Sequence, residues 1–217
     1  MQWALLDGVP EDELRGILQV ARRRSFVRNE VVCHRGDPAD SCHLIAKGRF
    51  AIRTTTSLGD TVTVAIRGPG ATFGEMALLV EDGKRLSTVA ALEPGETYSI
   101  FRTDFDHIRA THPGADRFLW AFLVNEVRTL NERLLEALYL PVDERGRRRL
   151  LELAELYGDG DGPVTVPLTQ EVVAELAGAT RPTVNQVLRD EERRGAIELT
   201  RGRITILDVP KLARRAG

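Results

Sequence analysis

The stretch from Leu168 to Ile206 limits this chain's folding options most. It encodes two short helices, a tight turn between them and a hairpin behind them. Thr169 can cap the first helix, and Glu171 falls in its first turn, where the positive end of a helix favours an acid. Val172, Val173 and Leu176 recur at helical spacing. Gly178 is the expected stop, because the residue after a helix often takes positive φ. Thr180 caps a second helix, and Pro182 fits its first turn, where no N–H partner is missed. Val184, Val187 and Leu188 form its buried stripe, and small Ala174 lies where the two backbones approach. The pair reads as a helix-turn-helix. The run Ile197–Ile206 then alternates and turns at Arg201-Gly202, as a β-wing does.

The outward side chains of the second helix suit DNA. Arg181 can donate two parallel hydrogen bonds to guanine O6 and N7. Thr180 and Thr183, near the helix N-terminus, can reach phosphate oxygens. Gln186 can read adenine, and Arg201 and Arg203 on the wing can hold a neighbouring phosphate. The candidate DNA-contacting set is Thr169, Thr180, Arg181, Thr183, Asn185, Gln186, Arg189, Arg201 and Arg203.

Charge argues that any DNA affinity is local. The formal net charge is −2, and from Asp143 onward thirteen Lys plus Arg face thirteen Asp plus Glu. Between Arg181 and Arg203, however, six Arg stand against four acids, which predicts strongly salt-dependent binding. At 217 residues the chain has room for one large domain or two small ones, and 42% hydrophobic with 29% charged residues is an ordinary soluble composition. No apolar run approaches the roughly 20 residues of a membrane span. The Met1–Asp7 start is too short for a signal peptide. Cys33 and Cys42 form no CxxC pair, which fits a reducing cytoplasm.

Upstream, Pro10 to about Arg22 reads as a helix with Leu14, Ile17, Leu18 and Ala21 on one face. From Ser25 to about Phe105 the chain breaks into short alternating runs, such as Val31–Cys33, His43–Ile45, Phe50–Arg53, Thr61–Ile66 and Tyr98–Phe101. Turn residues punctuate them at Gly36-Asp-Pro, Lys47-Gly48, Leu58-Gly-Asp, Gly68-Pro-Gly and Glu93-Pro-Gly. Many short, evenly spaced strands predict a small β-barrel or roll.

Within the roll, Thr72-Phe-Gly-Glu-Met-Ala-Leu-Leu is followed by Val80-Glu-Asp-Gly and Lys84-Arg-Leu-Ser. A Gly before a very short helix leaves backbone N–H groups free for an anion. Arg85 can add a positive fork for phosphate, and Glu75 can accept from a sugar hydroxyl. Taken alone, this pattern also fits a surface turn with a salt-bridged Arg.

From about Pro113 to Tyr139 the pattern is helical. Leu123, Val127, Leu130, Leu134 and Ala137 recur at steps of four and three, a seam that predicts pairing with a second copy. Dimerisation suits a helix-turn-helix, since one such unit reads half a site. Pro141 ends this helix and Asp143 can cap the next, which runs to Tyr157 with Leu150, Leu151, Leu153, Ala154 and Leu156 on its apolar side. The run Arg145-Gly-Arg-Arg-Arg reads as a solvated face, with a phosphate contact as the alternative. Gly158-Asp-Gly-Asp-Gly-Pro is a surface loop without the spacing or closing Glu of a calcium loop. Asp208-Val-Pro starts a short basic C-terminal helix.

These three blocks, in this order, resemble the CRP/FNR family of bacterial transcription regulators over essentially the whole chain. The stretches that carry the likeness are Arg35-Gly-Asp-Pro-Ala-Asp-Ser, Lys47-Gly-Arg, Phe73-Gly-Glu-Met-Ala-Leu-Leu and Thr180-Arg-Pro-Thr-Val-Asn-Gln-Val-Leu. The resemblance implies an α+β fold: a cyclic-nucleotide-binding-type β-roll at 1–112, a dimerisation helix at 113–140 and a winged helix-turn-helix at 141–217. It also implies a cytoplasmic homodimer that binds a two-fold symmetric operator in double-stranded DNA and contacts RNA polymerase.

The resemblance places a nucleotide pocket at Gly74, Glu75, Met76, Ala77, Arg85, Leu86, Ser87, Leu130 and Asn131. In family members that bind cyclic AMP, a Glu and an Arg at the positions of Glu75 and Arg85 meet the ribose and the phosphate. Two departures stand out. Leu86 occupies a position usually held by a phosphate-bonding Ser or Thr, and Leu130 one usually polar toward adenine. Each lost bond to a charged phosphate costs about 1.5–3 kcal/mol, at least a factor of ten in affinity. Weak or absent cyclic AMP binding is therefore expected, with operator binding in its absence; a cyclic-AMP-activated regulator is the alternative. At the DNA end, Arg181 matches the family's guanine-reading Arg. Pro182 replaces a frequent Glu, and Gln186 a second Arg, so sequence preference should differ. If a ligand acts, it would shift populations through the long helix and the hinge at Pro141.

Other classes fit less well. An iron–sulfur sensor needs about four Cys. A haem sensor would use His34, His43, His107 or His112, which form no motif. A sensing module with a vestigial DNA domain remains as a different class of reading. An enzyme is disfavoured, because the chain shows no Ser/His/Asp grouping, metal-ligand cluster or P-loop.

Overall fold

In the computed structural model the chain divides within a long helix into two compact units, Met1–Val127 and Arg128–Gly217. The structure describes residues 3–6, 10–57, 59–79, 83–160 and 162–216. The Met1-Gln and Asp7 positions of the start, the turn residue Leu58, the Val80-Glu-Asp stretch and Asp161 of the Gly-Asp loop lie outside the described residues.

The first unit is a roll of two four-stranded antiparallel sheets. One has the order β1-β8-β3-β6, built from β1 (Arg22–Phe26), β8 (Gly95–Phe101), β3 (Ser41–Lys47) and β6 (Thr72–Phe73). The other has the order β2-β7-β4-β5, from β2 (Val31–Cys33), β7 (Thr88–Ala91), β4 (Phe50–Thr55) and β5 (Thr61–Arg67). Strand β3 is buried on both faces, and its alternation assigns each side chain to a core. Cys42, Leu44 and Ala46 join a cluster with Trp3, Leu5, Ile100, Phe105 and Ile108. Ile45 joins the other cluster, with Phe26, Phe50, Phe73 and Val89.

Two boundaries differ from expectation. The first helix, α1, spans Glu11–Val20 and stops short of Arg22, because Ala21 turns extended and Arg22–Phe26 pair with Ser99–Gly95. Pairing with a distant strand overrides the local helical period. A further helix, α2 (Arg102–Thr111), closes the roll by burying Phe105 and Ile108 against it.

Helix α3 runs Pro113–Tyr139 and α4 runs Val142–Tyr157, with the break at Leu140-Pro141 as expected. Asp143 does not cap α4. It lies inside the first turn, where its carboxylate accepts from Arg147 at 2.8 Å.

In the second unit, α4, α5 (Gln170–Ala177) and α6 (Arg181–Arg193) pack together beside a small antiparallel sheet. That sheet has the order β10-β11-β9, from β10 (Ile197–Thr200), β11 (Arg203–Ile206) and β9 (Val164–Val166). The alternation of 197–206 predicts the wing hairpin; the third strand, β9, joins it by pairing with β11. Helix α7 (Val209–Ala213) follows, capped by Asp208, whose carboxylate accepts from Lys211 N at 2.8 Å.

Candidate nucleic-acid interface

Local chemistry builds the reading head much as the sequence predicts. The Thr169 hydroxyl accepts from Val172 N at 3.4 Å, and Gly178 ends α5 in the left-handed region at φ 60°. Thr180 accepts from Thr183 N at 3.5 Å, and the two hydroxyls meet at 2.8 Å. Val184, Val187 and Leu188 are the buried stripe of α6. On α5 the buried residues are Val173, Ala174 and Ala177, whereas Val172 and Leu176 are only half-buried. Small side chains let α5 approach α4 and α6 closely. Gly146 of α4 faces Val187, where a Cβ would make an ordinary contact at 3.5 Å.

Thr169, Thr180, Arg181, Thr183, Gln186, Arg189, Arg201 and Arg203 are all exposed. Among the described residues no carboxylate pairs with Arg181, Arg201 or Arg203. Arg189 differs, because it donates to Glu192 at 2.7 Å. Glu192 also accepts from Leu199 N at 2.9 Å, and these bonds, the backbone one first, hold its carboxyl below the usual range. Asn185 is half-buried and its side-chain oxygen is enclosed without a partner.

The arginine run on α4 is not the solvated face its charge suggested. Arg147 and Arg149 are buried, and Arg145 and Arg148 are half-buried. Arg147 Nε donates to Glu191 at 2.9 Å, and Arg215 donates to the same oxygen at 2.8 Å. Glu191 is 1% exposed on the inner face of α6, inside a stretch that reads as surface charge. Arg148 and Arg149 both donate to Glu136. Partners 44 residues apart in the chain, such as Arg147 and Glu191, leave no local signal.

In the roll, Gly74 takes φ 89° ahead of a 3-10 turn at Met76–Leu79. Glu75 is 3% exposed, burial raises its carboxyl pKa, and its Oε2 is enclosed without a partner. Arg85 is buried too, and its Nη1 sits where a Cβ on residue 74 would lie. Two nitrogens of the guanidinium are engaged by its own chain, Nη1 donating to the Ser41 carbonyl at 2.6 Å and Nη2 to the Ser41 hydroxyl at 3.1 Å, with Asp40 3.5 Å away, while Nε is enclosed without a partner. Ala77 is buried, Ser87 half-buried, and Met76 and Leu86 exposed. Leu130 and Asn131 are exposed on the second unit's portion of α3.

Three further groups interact electrostatically with this site, His43 with Arg85 and the half-buried Arg67 and Glu126 with Glu75. His43 stacks on Phe73 at 4.7 Å and meets Thr97 Oγ1 at 3.1 Å. Arg67 donates to Glu126 of α3 at 2.5 Å. A separate open cleft of about 500 Å³, lined by Ala154, Glu155, Val164, Leu207 and Pro210 among others, holds none of the predicted residues. Among the described residues no helix is long and apolar enough to cross a membrane.

A β-roll of cyclic-nucleotide-binding type followed by a winged helix-turn-helix defines a class of DNA-binding regulators. Residues 23–112 match the cyclic nucleotide-binding domain family, and residues 144–215 the Crp-like helix-turn-helix domain. The chain is 30% identical over 215 residues to a CRP-like cAMP-activated global transcriptional regulator of Mycobacterium tuberculosis, covering 98% of this chain and 96% of that protein. It is 30% identical over 208 residues to the cyclic AMP receptor protein of Thermus thermophilus, covering 96% and 94%. In fold it is similar to FixK2 from Bradyrhizobium japonicum, with a TM-score of 0.78, 21% identity and coverage of 90% and 97%. The chain belongs to the CRP/FNR family of DNA-binding transcription regulators.

Proposed function

We propose that this protein acts as a homodimer that binds a two-fold symmetric operator sequence-specifically, and that it does so without cyclic AMP. The observation that carries this is the state of Arg181: exposed, unpaired among the described residues, and fixed at the capped N-terminal end of α6. A side chain in that position can enter a major groove and read guanine, while Thr180, Thr183 and the wing arginines Arg201 and Arg203 hold phosphates. Gln186 is the second base reader. Arg189 is the weaker contributor, because Glu192 already engages it.

The dimer rests on α3. Val127, Leu130, Leu134 and Ala137 of the predicted seam are exposed, and Val124 and Leu138 extend the apolar stripe. A stripe of that length invites a partner, and its steps of four and three suit a second copy of the same helix. We take residues 1–112 as the sensing roll, 113–140 as the pairing helix and 141–217 as the reading head. RNA polymerase is the further partner and the cytoplasm the compartment, in keeping with the family.

A second reading, activation by cyclic AMP, draws support from Glu75 and Arg85. Each keeps a buried polar atom without a partner, Glu75 Oε2 and Arg85 Nε, as an oxygen-rich ligand would need. Leu86 and the closed Ser41–Arg85 contact weigh against it. Selection of bound DNA from a random pool, with and without cyclic AMP, tests both. A two-fold site recovered equally in each condition is expected. Recovery only with the nucleotide selects the second reading, and recovery of no site sinks the first.

A further inference from the structure

We propose that Glu136 is a positioning residue that sets the spacing at which the two reading heads engage DNA; the proposal rests on the homodimeric regulator reading above.

Glu136 stands one turn before the end of α3, on the pairing-helix side of the break at Leu140-Pro141. Its side chain is 13% exposed, and both of its oxygens are used. Oε1 accepts from Arg148 at 2.9 Å and Oε2 from Arg149 at 2.5 Å, so one carboxylate takes two guanidinium groups from the first turns of α4. Arg149, 3% exposed, also meets Glu152 at 3.0 Å, and Glu152 in turn lies 3.6 Å from Arg133 of α3. A weaker bond runs from Arg145 to the carbonyl of Ala137 at 3.4 Å. A proline break with no such ties is a free joint; here charged bonds fasten it from both sides. The same α4 holds α6 through Arg147 and Glu191. Fixed parts thus run from α3 through Glu136 and α4 to the reading helix.

A buried ion pair is weak as a source of stability, because desolvation offsets most of the attraction; specifying one geometry is its better-attested use. Geometry matters at this joint. With α3 paired to its copy, the angle between α3 and α4 determines how far apart the two α6 helices stand. Half-sites one helical turn apart lie about 34–36 Å from centre to centre, and one inserted base pair turns a half-site by roughly 34°.

The test uses the full-length dimer and the operator that the wild type selects from a random pool. Affinity is measured for that operator, for versions with one base pair added or removed between half-sites, and for an isolated half-site. Three proteins are compared: wild type, Glu136→Gln, and the double variant Glu136→Leu with Arg149→Met, which replaces the pair by apolar groups and guards against unfolding from an unpaired buried arginine. Wild type is expected to lose roughly tenfold or more when the spacing changes. The variants should tolerate the altered spacings to within about threefold of their best operator, with half-site affinity and dimer mass unchanged. Variants that keep the wild-type spacing preference overturn the proposal alone. So do variants that lose half-site binding in parallel with operator binding, since Glu136 would then only support the fold. A wild type that selects no two-fold site overturns the regulator reading itself, and the spacing role with it.

Discussion

Arg85 binds Ser41 through two of its nitrogens, to the carbonyl at 2.6 Å and to the hydroxyl at 3.1 Å. On the proposed reading, this contact competes with an anionic ligand for Arg85. Asp40, 3.5 Å from the same guanidinium, adds a negative charge that an incoming phosphate would have to oppose.

Cyclic AMP should therefore bind weakly, and Leu86→Ser should improve it. The exposed Leu86 offers a phosphate no hydrogen bond. Restoring one hydroxyl is worth about 1.5 kcal/mol or more, a gain of roughly tenfold by calorimetry. No gain would mean that Leu86 is not what weakens the site.

Arg181→Ala should abolish operator preference and spare the fold. Its loss is expected to cost about 1–3 kcal/mol per half-site in gel-shift assays. Urea unfolding should move by less than about 0.5 kcal/mol, because the side chain is exposed and unpaired. Unchanged operator affinity would remove α6 from the groove.

Glu191→Leu should destabilise the reading head by about 1.5–3 kcal/mol, since it removes the buried carboxylate that Arg147 and Arg215 share and leaves Arg147 with Asp143 as its one acidic partner. Asp190→Asn, one residue away, removes only an exposed partner of Arg193 and should change stability by under about 0.5 kcal/mol. Denaturant midpoints of equal size for the two variants would refute a special role for Glu191.

Leu134→Glu should give a monomer in sedimentation velocity. Leu134 is exposed on α3, where a like-charged pair at a coiled-coil seam costs what an apolar pair contributes. An intact dimer would place the interface elsewhere.

Acid should weaken the roll through His43. Burial first, then Arg85 and Arg24, lower its pKa to about 3. The neutral ring therefore contributes stability that is complete above the unfolded value near 6.5 and is lost, at about 1.4 kcal/mol per pH unit, as pH falls from there through about 3. The stability of His43→Phe should fall less steeply between pH 6 and 4, and parallel curves would dismiss the effect. Glu75, with its raised pKa, works in the opposite direction and is common to both proteins.

Much of the reading head could be read in advance. Thr169, Gly178, Thr180 and Pro182 act within a few residues of themselves, and their roles follow from capping and backbone sterics alone. The roll is legible as short strands and turns, but the start of β1, all of β7 and α2 are not, because pairing of Arg22–Phe26 with β8 and burial of Phe105 depend on distant partners. The arginine run misled for a related reason. Charge predicts solvent unless a partner is known, and Glu191 and Glu136 are supplied by other helices.

Order of the blocks, caps, turn positions and the apolar seam were already written along the chain, because each arises from neighbours separated by one or two turns. Which charges are enclosed and which stand free was decided only by packing. Arg85 and Arg147 each meet a partner 44 residues away and become internal struts, whereas Arg181 meets none among the described residues and stays available to a ligand. Desolvation is the cause: a charge removed from water must find its counterpart wherever the fold brings one, and the linear order of residues does not say where that will be.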